Sequence, residues 1–151
     1  MTPALISAVT AIVAGLGLAA AAGWLHNRRS GVLRETADGA PAAAEFDPQL
    51  DTSELGLSST GPTIVHFSAV WCGPCAGVRT VVDRVCSDLD DVGHVAHVEI
   101  DMDADPIAAR KLSVLSLPTT FIFDAGGRQR YRAIGVPKAA DLRSALQPLL
   151  A

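Results

Sequence analysis

The chain has no excess of positive charge. Its Lys and Arg number 12 against 16 Asp and Glu, a net charge of −4, whereas a nucleic-acid binder should carry a basic patch. It has no internal repeat. Cysteine is scarce: the 3 present are an odd number, and an unpaired thiol is better suited to a reducing solvent than to an oxidising one. From Pro3 to Leu25 charged side chains are missing altogether.

That last absence predicts a transmembrane helix over 3–25. As a helix rising about 1.5 Å per residue the stretch reaches roughly 35 Å, enough for a hydrocarbon core of about 30 Å with some tilt. It is also the source of a mean hydropathy of +0.30, high for a soluble protein. A cleaved signal peptide is the other reading, with Ala19-Ala20-Ala21 as a small-residue site. A signal peptide wants positive charge ahead of its apolar region, and only the α-amino group lies there, so an uncleaved anchor is favoured. Arg28, Arg29 and Arg34 follow the helix. By the positive-inside rule they keep this flank, and the domain after it, on the cytoplasmic side. The expectation is therefore a single-pass protein of the cell membrane with lipid as one partner. Gly15, Ala19 and Gly23, at four-residue spacing, would let two such helices pack, although an Ala/Gly-rich segment also yields this pattern by composition alone.

Residues 26–48 contain Gly31, Gly39, Pro41 and Ala42-Ala43-Ala44, and read as a linker without a core of its own. Residues 49–151 form the globular part, large enough to bury a core without staples. After Gly61-Pro62, the β-branched and aromatic run Thr63–Ser68 reads as a buried strand. Val78, Val81, Val82, Val85 and Leu89 then recur at helical spacing over a polar face of Arg79, Asp83, Arg84 and Asp90. A second strand is expected over Val95–Ile100, and a short helix opens at Asp105-Pro106 and runs to Leu112. A third strand covers Thr119–Phe123, a turn Asp124–Gly127, and a fourth strand Arg128–Ala133 pairs with the third as a hairpin. A last helix begins near Pro137 with Leu142, Ala145, Leu146 and Leu149 on one face. The order β-α-β-α-β-β-α implies an α/β fold, a small mixed central sheet flanked by helices.

Chemistry concentrates at Trp71-Cys72-Gly73-Pro74-Cys75. Two cysteines separated by two residues, after a strand and at a helix start, form a reactive pair. The unpaired N–H groups of the first turn and the positive end of the helix dipole favour thiolate at Cys72. Pro74 suits a first turn, where its missing N–H costs nothing. Cys72 would attack a substrate disulfide and Cys75 would resolve the mixed disulfide. The competing reading is half a zinc site completed by Cys86 and His94. Cys86, however, lies roughly 16 Å from Cys75 along one helix. That is too far for sulfurs about 2.3 Å from one metal, or for a disulfide. Cys86 continues the row Val78–Val82–Cys86 and is expected to be a buried apolar residue.

Trp71-Cys72-Gly73-Pro74-Cys75 resembles the active site of the thioredoxin family. Phe67 and Ala69 ahead of it, Asp101 at the end of the second strand, Leu117-Pro118-Thr119, the hairpin glycine Gly127 and Gly135 all fall at family spacing. The resemblance covers about residues 50–150 and omits the anchor. It implies a thioredoxin-like fold and a thiol–disulfide oxidoreductase, a protein-disulfide reductase, that needs no cofactor or metal beyond its Cys72–Cys75 disulfide. The implied partners are disulfide-containing proteins and an upstream electron donor such as a thioredoxin reductase. Pro118 becomes the family's cis-proline against the active-site disulfide, the alternative being a proline that merely starts an edge strand. Gly73 and Pro74 support the pair, and Trp71, Leu117, Pro118 and Gly135 form the substrate-binding surface.

Departures from the family are informative. Its buried Asp, six residues before the first cysteine, is His66 here, and the Lys that often partners it is His97. Either two imidazoles replace a carboxylate–ammonium pair, or both are core-edge histidines with satisfied hydrogen bonds. Ala76 stands for the usual Lys, and Thr80 for a helix-kinking Pro. Two other functions compete with the cytoplasmic reductase: the same chemistry outside the cytoplasm, on apocytochrome or envelope disulfides, and a redox-independent peptide-binding scaffold. Retention of both cysteines and Pro118 argues against the scaffold.

Overall fold

The computed structural model describes residues 3–28, 30–36 and 55–150. The chain divides into two units, Met1–Ser30 and Gly31–Ala151.

The first unit holds one helix, α1 (Pro3–Arg28), 26 residues long. Side chains are described along it at 11–25, and Ile12, Val13, Leu16, Leu18, Trp24 and Leu25 are each more than half exposed. Among the described residues no helix is long and apolar enough to cross a membrane. Arg29 and residues 37–54, which include most of the expected linker, lie outside the described residues.

Among the described residues the second unit is built on a five-stranded mixed sheet. Its strands are β1 (Arg34–Glu35), β2 (Thr63–Ser68), β3 (Ala96–Asp101), β4 (Thr119–Phe123) and β5 (Gln129–Ile134), in the spatial order β1-β5-β4-β2-β3. The helices are α2 (Cys75–Leu89), α3 (Pro106–Lys111) and α4 (Ala139–Leu146), which runs into a 3₁₀ turn at Gln147–Leu149. β2 is buried at every position and pairs in parallel with β3 and antiparallel with β4. Alternation along it sends Val65 and Phe67 to one face, with Phe121, Phe123, Ala108, Ala109 and Leu112. Ile64 goes to the other face, with Val78, Val82, Val85, Leu142 and Leu146 of α2 and α4. Burial on both faces explains why this strand reads as a continuous apolar run.

The β-α-β-α-β-β-α order is present, with small differences at its edges. The second and fourth expected strands each sit one residue further along, and α4 begins at Ala139 rather than near Pro137. At the start of α3, Asp105 Oδ1 accepts from Ala108 N–H at 3.0 Å, a side-chain cap ahead of Pro106. The hairpin turns on Asp124, whose Oδ1 accepts from the N–H groups of Gly126 and Arg128, both at 3.0 Å, with Gly127 at φ +74.

The larger difference is β1. Residues 31–36 were expected to be linker, yet they join the sheet. Arg34 and Glu35 pair antiparallel with Arg132 and Tyr131, Thr36 N–H donates to Arg130 O, and Leu33 packs on the α2/α4 side. Two paired residues are too short a run to show periodicity, and flanking Gly31 reads as a linker signal. The N–H and C=O groups of β5's outer edge decide the matter by offering partners that no local pattern reveals.

Candidate active site

Beyond β2 the chain turns once before α2. Cys72 N–H donates to Ala69 O at 3.0 Å, and Cys75 N–H to Cys72 O at 3.2 Å. Pro74, expected inside the first turn, instead caps α2 at φ −66 and ψ −18, its carbonyl accepting from Gly77 and Val78 N–H. Cys72 thus stands just ahead of the helix and Cys75 is its first residue. The two are joined by a disulfide, S–S 2.00 Å with Cα atoms 5.5 Å apart. Cys75 is only 2% exposed while Cys72 is half-buried, so an incoming sulfur reaches Cys72 first. Gly73 and Pro74 are exposed, as is Trp71, whose indole N–H donates to Asp103 Oδ2 at 2.9 Å.

The Leu117–Pro118 peptide is cis, Pro118 is buried, and Leu117 packs partly against the α3-side core. Gly135, at φ +91, donates its N–H to Pro118 O at 2.8 Å. The next residue, Val136, reaches α2: a Cβ built on Gly77 would sit 3.6 Å from Val136 Cγ2. Leu117, Pro118 and Gly135 are therefore one backbone cluster, and its neighbour Val136 touches the helix that carries Cys75.

His66 is fully buried on the α2 side of β2. Its Nδ1 is 2.8 Å from His97 Nε2, and His97 Nδ1 is 3.0 Å from Asp83 Oδ1. The Asp83 carboxylate can only accept, so His97 carries a proton on Nδ1, and the tautomer with a lone pair on His97 Nε2 has it accept from His66 Nδ1–H. His66 Nε2 is left with its lone pair, buried, and without a hydrogen-bond partner. Glu99 Oε1 lies 3.5 Å from it, and Arg79 holds that carboxylate through Nε and a second guanidinium nitrogen. Burial pushes the His66 pKa down to about 4 despite Glu99, which works to raise it. The hydrogen bond from Arg79 brings Glu99 down to about 2 against the opposing effect of burial. Thr120, opposite His66 on β4, completes the surroundings with a hydroxyl. Core-edge histidines with satisfied hydrogen bonds were one expectation, and His66 departs from it: it is central and one nitrogen is unpaired. In the sequence Arg79 and Asp83 show only as part of a polar helix face, and Glu99 carries no local signal. The cross-strand register His66↔Glu99 brings them in, and strand pairing is not written in local sequence.

Cys86 is half-buried rather than buried, and burial raises its thiol pKa. That makes it a poorer nucleophile. Among the described residues no group of His, Cys, Asp and Glu could hold a metal.

A disulfide between cysteines three residues apart at a strand–helix junction, one half-buried and one closed to solvent, on a mixed sheet whose β4 follows a cis-proline, defines a thiol–disulfide exchange centre. A family model described as thioredoxin matches residues 42–148, and the chain belongs to the thioredoxin family. It is 39% identical over 101 residues to thioredoxin of Mycolicibacterium smegmatis, covering 66% of this chain and 88% of that one. It is 41% identical over 88 residues to a bifunctional thioredoxin reductase/thioredoxin of Mycobacterium leprae, covering 58% of this chain and 19% of that one. Among solved structures, chloroplastic thioredoxin z matches with a TM-score of 0.52 at 32% identity, over 60% of this chain and 79% of that chain. The activity of the chain is thioredoxin-type thiol–disulfide oxidoreduction.

The buried neutral His66 has a consequence for stability. Below its ordinary value of 6.5 the unfolded state takes a proton that the folded state refuses until about pH 4, so stability falls as pH drops through that window. The loss is on the order of 3 kcal/mol. Urea midpoints measured from pH 7 to pH 4.5 should decline for the wild type and decline less for His66→Gln. Parallel curves would mean that His66 is not the titrating group.

Proposed function

We propose that the chain is a membrane-tethered protein-disulfide reductase whose redox domain works on the cytoplasmic side. The observation that carries the chemistry is the Cys72–Cys75 disulfide, with Cys72 half-buried and Cys75 closed to solvent. The tether rests on the sequence: the uncharged stretch 3–25 and the arginines that follow it.

In the reduced state the Cys72 thiolate attacks one sulfur of a substrate disulfide. The substrate S–S bond breaks, its second sulfur leaves as thiolate, and a mixed disulfide forms. Cys75 then gives up its thiol proton and attacks Cys72 Sγ, releasing the other substrate sulfur as a thiolate. Two electrons have passed to the substrate and the chain holds the disulfide seen here. We assign His66, the neighbour of Phe67 whose carbonyl lies 3.9 Å from Cys75 Sγ, as the group that takes the Cys75 proton; with a pKa of about 4 it holds that proton only in passing. Glu99 stabilises the imidazolium so formed, and Asp83 acts through His97 to keep the lone pair on Nε2. Trp71, Leu117, Pro118 and Gly135 form the surface that receives the substrate chain, with Gly73 and Pro74 shaping the approach to Cys72. Electrons return from an upstream dithiol donor such as a thioredoxin reductase; the Mycobacterium leprae relative carries both names in one chain.

Three measurements test this reading. In insulin reduction driven by dithiothreitol, Cys72→Ser should abolish activity in the full chain, and Cys86→Ser should keep most of it. Equal losses would overturn the assigned roles. A C-terminal reporter active only outside the cytoplasm should stay silent, and a strong signal would move the chain to the envelope-reductant reading. For proton transfer, mixed-disulfide resolution in the wild type should slow as pH falls toward the His66 pKa, and His66→Ala should be slower at neutral pH with a flatter profile. Superimposed profiles would leave His66 as a packing residue.

A further inference from the structure

The segment 31–36 precedes the region that the family model matches, 42–148, yet it is built into the domain beside the proposed substrate surface. Gly31 is buried at φ +78 and its N–H donates to Ile134 O at 2.6 Å. A Cβ there would fall 2.0 Å from Val136 O, 2.8 Å from Val136 C and 3.3 Å from Pro137 Cα. The backbone of the strap therefore lies directly on the backbone of the loop after β5. Further along, Arg34 and Glu35 pair with β5, Thr36 N–H donates to Arg130 O, and Gln129 Nε2–H donates to Thr36 Oγ1 at 2.9 Å. Leu33 packs into the α2/α4 core.

The loop gripped from behind by Gly31 is held from the front at two points. Gly135 N–H is bonded to Pro118 O, and Val136 meets Gly77, two residues after Cys75. With Val136 set between the strap and the first turn of α2, moving the strap moves the loop relative to the cysteine pair.

We infer that Gly31–Thr36 is a specificity-determining strap: Gly31 sets the position of the Ile134–Val136 loop against Pro118 and α2, and so sets how tightly a protein disulfide is held for attack by Cys72. The inference rests on the proposed reductase reading and adds to it positioning residues that come from outside the matched domain. The strap itself bonds and packs to β5, the loop after it and the α2/α4 core, and reaches Pro118 and α2 only through Gly135 and Val136. The strap should therefore govern the binding of a polypeptide and not the sulfur chemistry.

The test uses the full chain in detergent micelles with two probes, insulin and the small disulfide 5,5′-dithiobis(2-nitrobenzoic acid). Gly31→Val should raise KM for insulin about fivefold, the worth of one backbone hydrogen bond. The insulin kcat and the rate with the small disulfide should stay near wild type. Leu33→Ala, which weakens the strap without crowding the loop, should move the insulin KM in the same direction, and Leu33→Met should restore it. Urea midpoints identify any variant that has lost its fold, in which case Leu33→Ala decides. An unchanged insulin KM in Leu33→Ala, or parallel losses with both probes, would overturn the strap. A wild-type chain inactive on both probes would overturn the reductase reading on which it rests.

Discussion

The pairing of β2 with β3 on one side and β4 on the other organises everything functional in this domain. β2 is parallel to β3 from Thr63↔Ala96 to Ser68↔Asp101, and antiparallel to β4 from Thr63↔Phe123 to Phe67↔Thr119. One register places His66 beside Glu99 and Thr120, aims Phe67 into the α3-side core, and ends the strand where the chain must turn to begin α2. A slip of one residue would exchange the faces. The imidazole would then enter the cluster of Phe121 and Phe123, while Phe67 would face Arg79 and Asp83. The fully apolar burial of Ile64, Val65 and Phe67, each without measurable exposure, makes that slip costly.

Against this frame, the polar chain Asp83–His97–His66–Glu99–Arg79 is an exception placed with care. Four of its members sit at the solvent margin, and the fifth, His66, is buried but neutral. Desolvation is least costly for an imidazole that gives up its proton, which is why burial lowers its pKa rather than ejecting the side chain. The carboxylate of Glu99 is kept ionised by Arg79 at the half-exposed end. A buried Asp would require a charge or a proton at the centre of the sheet, whereas this arrangement holds the charge one strand away and leaves a neutral base inside. The exposed Arg79–Glu99 pair adds little stability of its own, and its importance lies in where it holds the carboxylate.

Much of the fold was legible because its signals are local. The β-branched run of β2, the apolar row Val78–Val82–Val85 of α2, the Asp105-Pro106 start of α3 and the Gly127 hairpin each reveal themselves within a few residues. Cys72, Cys75 and the resemblance through Pro118 were legible for the same reason. Two things were not. Glu99, Arg79 and Asp83 come together only once β2 and β3 are in register and α2 lies over them. β1, with two paired residues, has no periodicity to read. Cys86 sat between the two cases: its helical row was right, but the degree of burial depends on what α4 leaves uncovered.

β1 also bears on how pieces of this chain behave. The matched region begins after the strap ends, so a fragment trimmed to that boundary, or a protease cutting between the two, removes the outermost strand. β5 then becomes an edge, with the N–H and C=O groups that had met Gly31, Arg34, Glu35 and Thr36 open to solvent. An uncovered edge strand is a template for pairing with a second copy, and its arginines are engaged elsewhere, Arg130 with Asp124 and Arg132 with the carbonyls of Leu112 and Ser113. Fragments that keep residues 30–36 and fragments that lose them should therefore differ in self-association, even where their cysteines react alike.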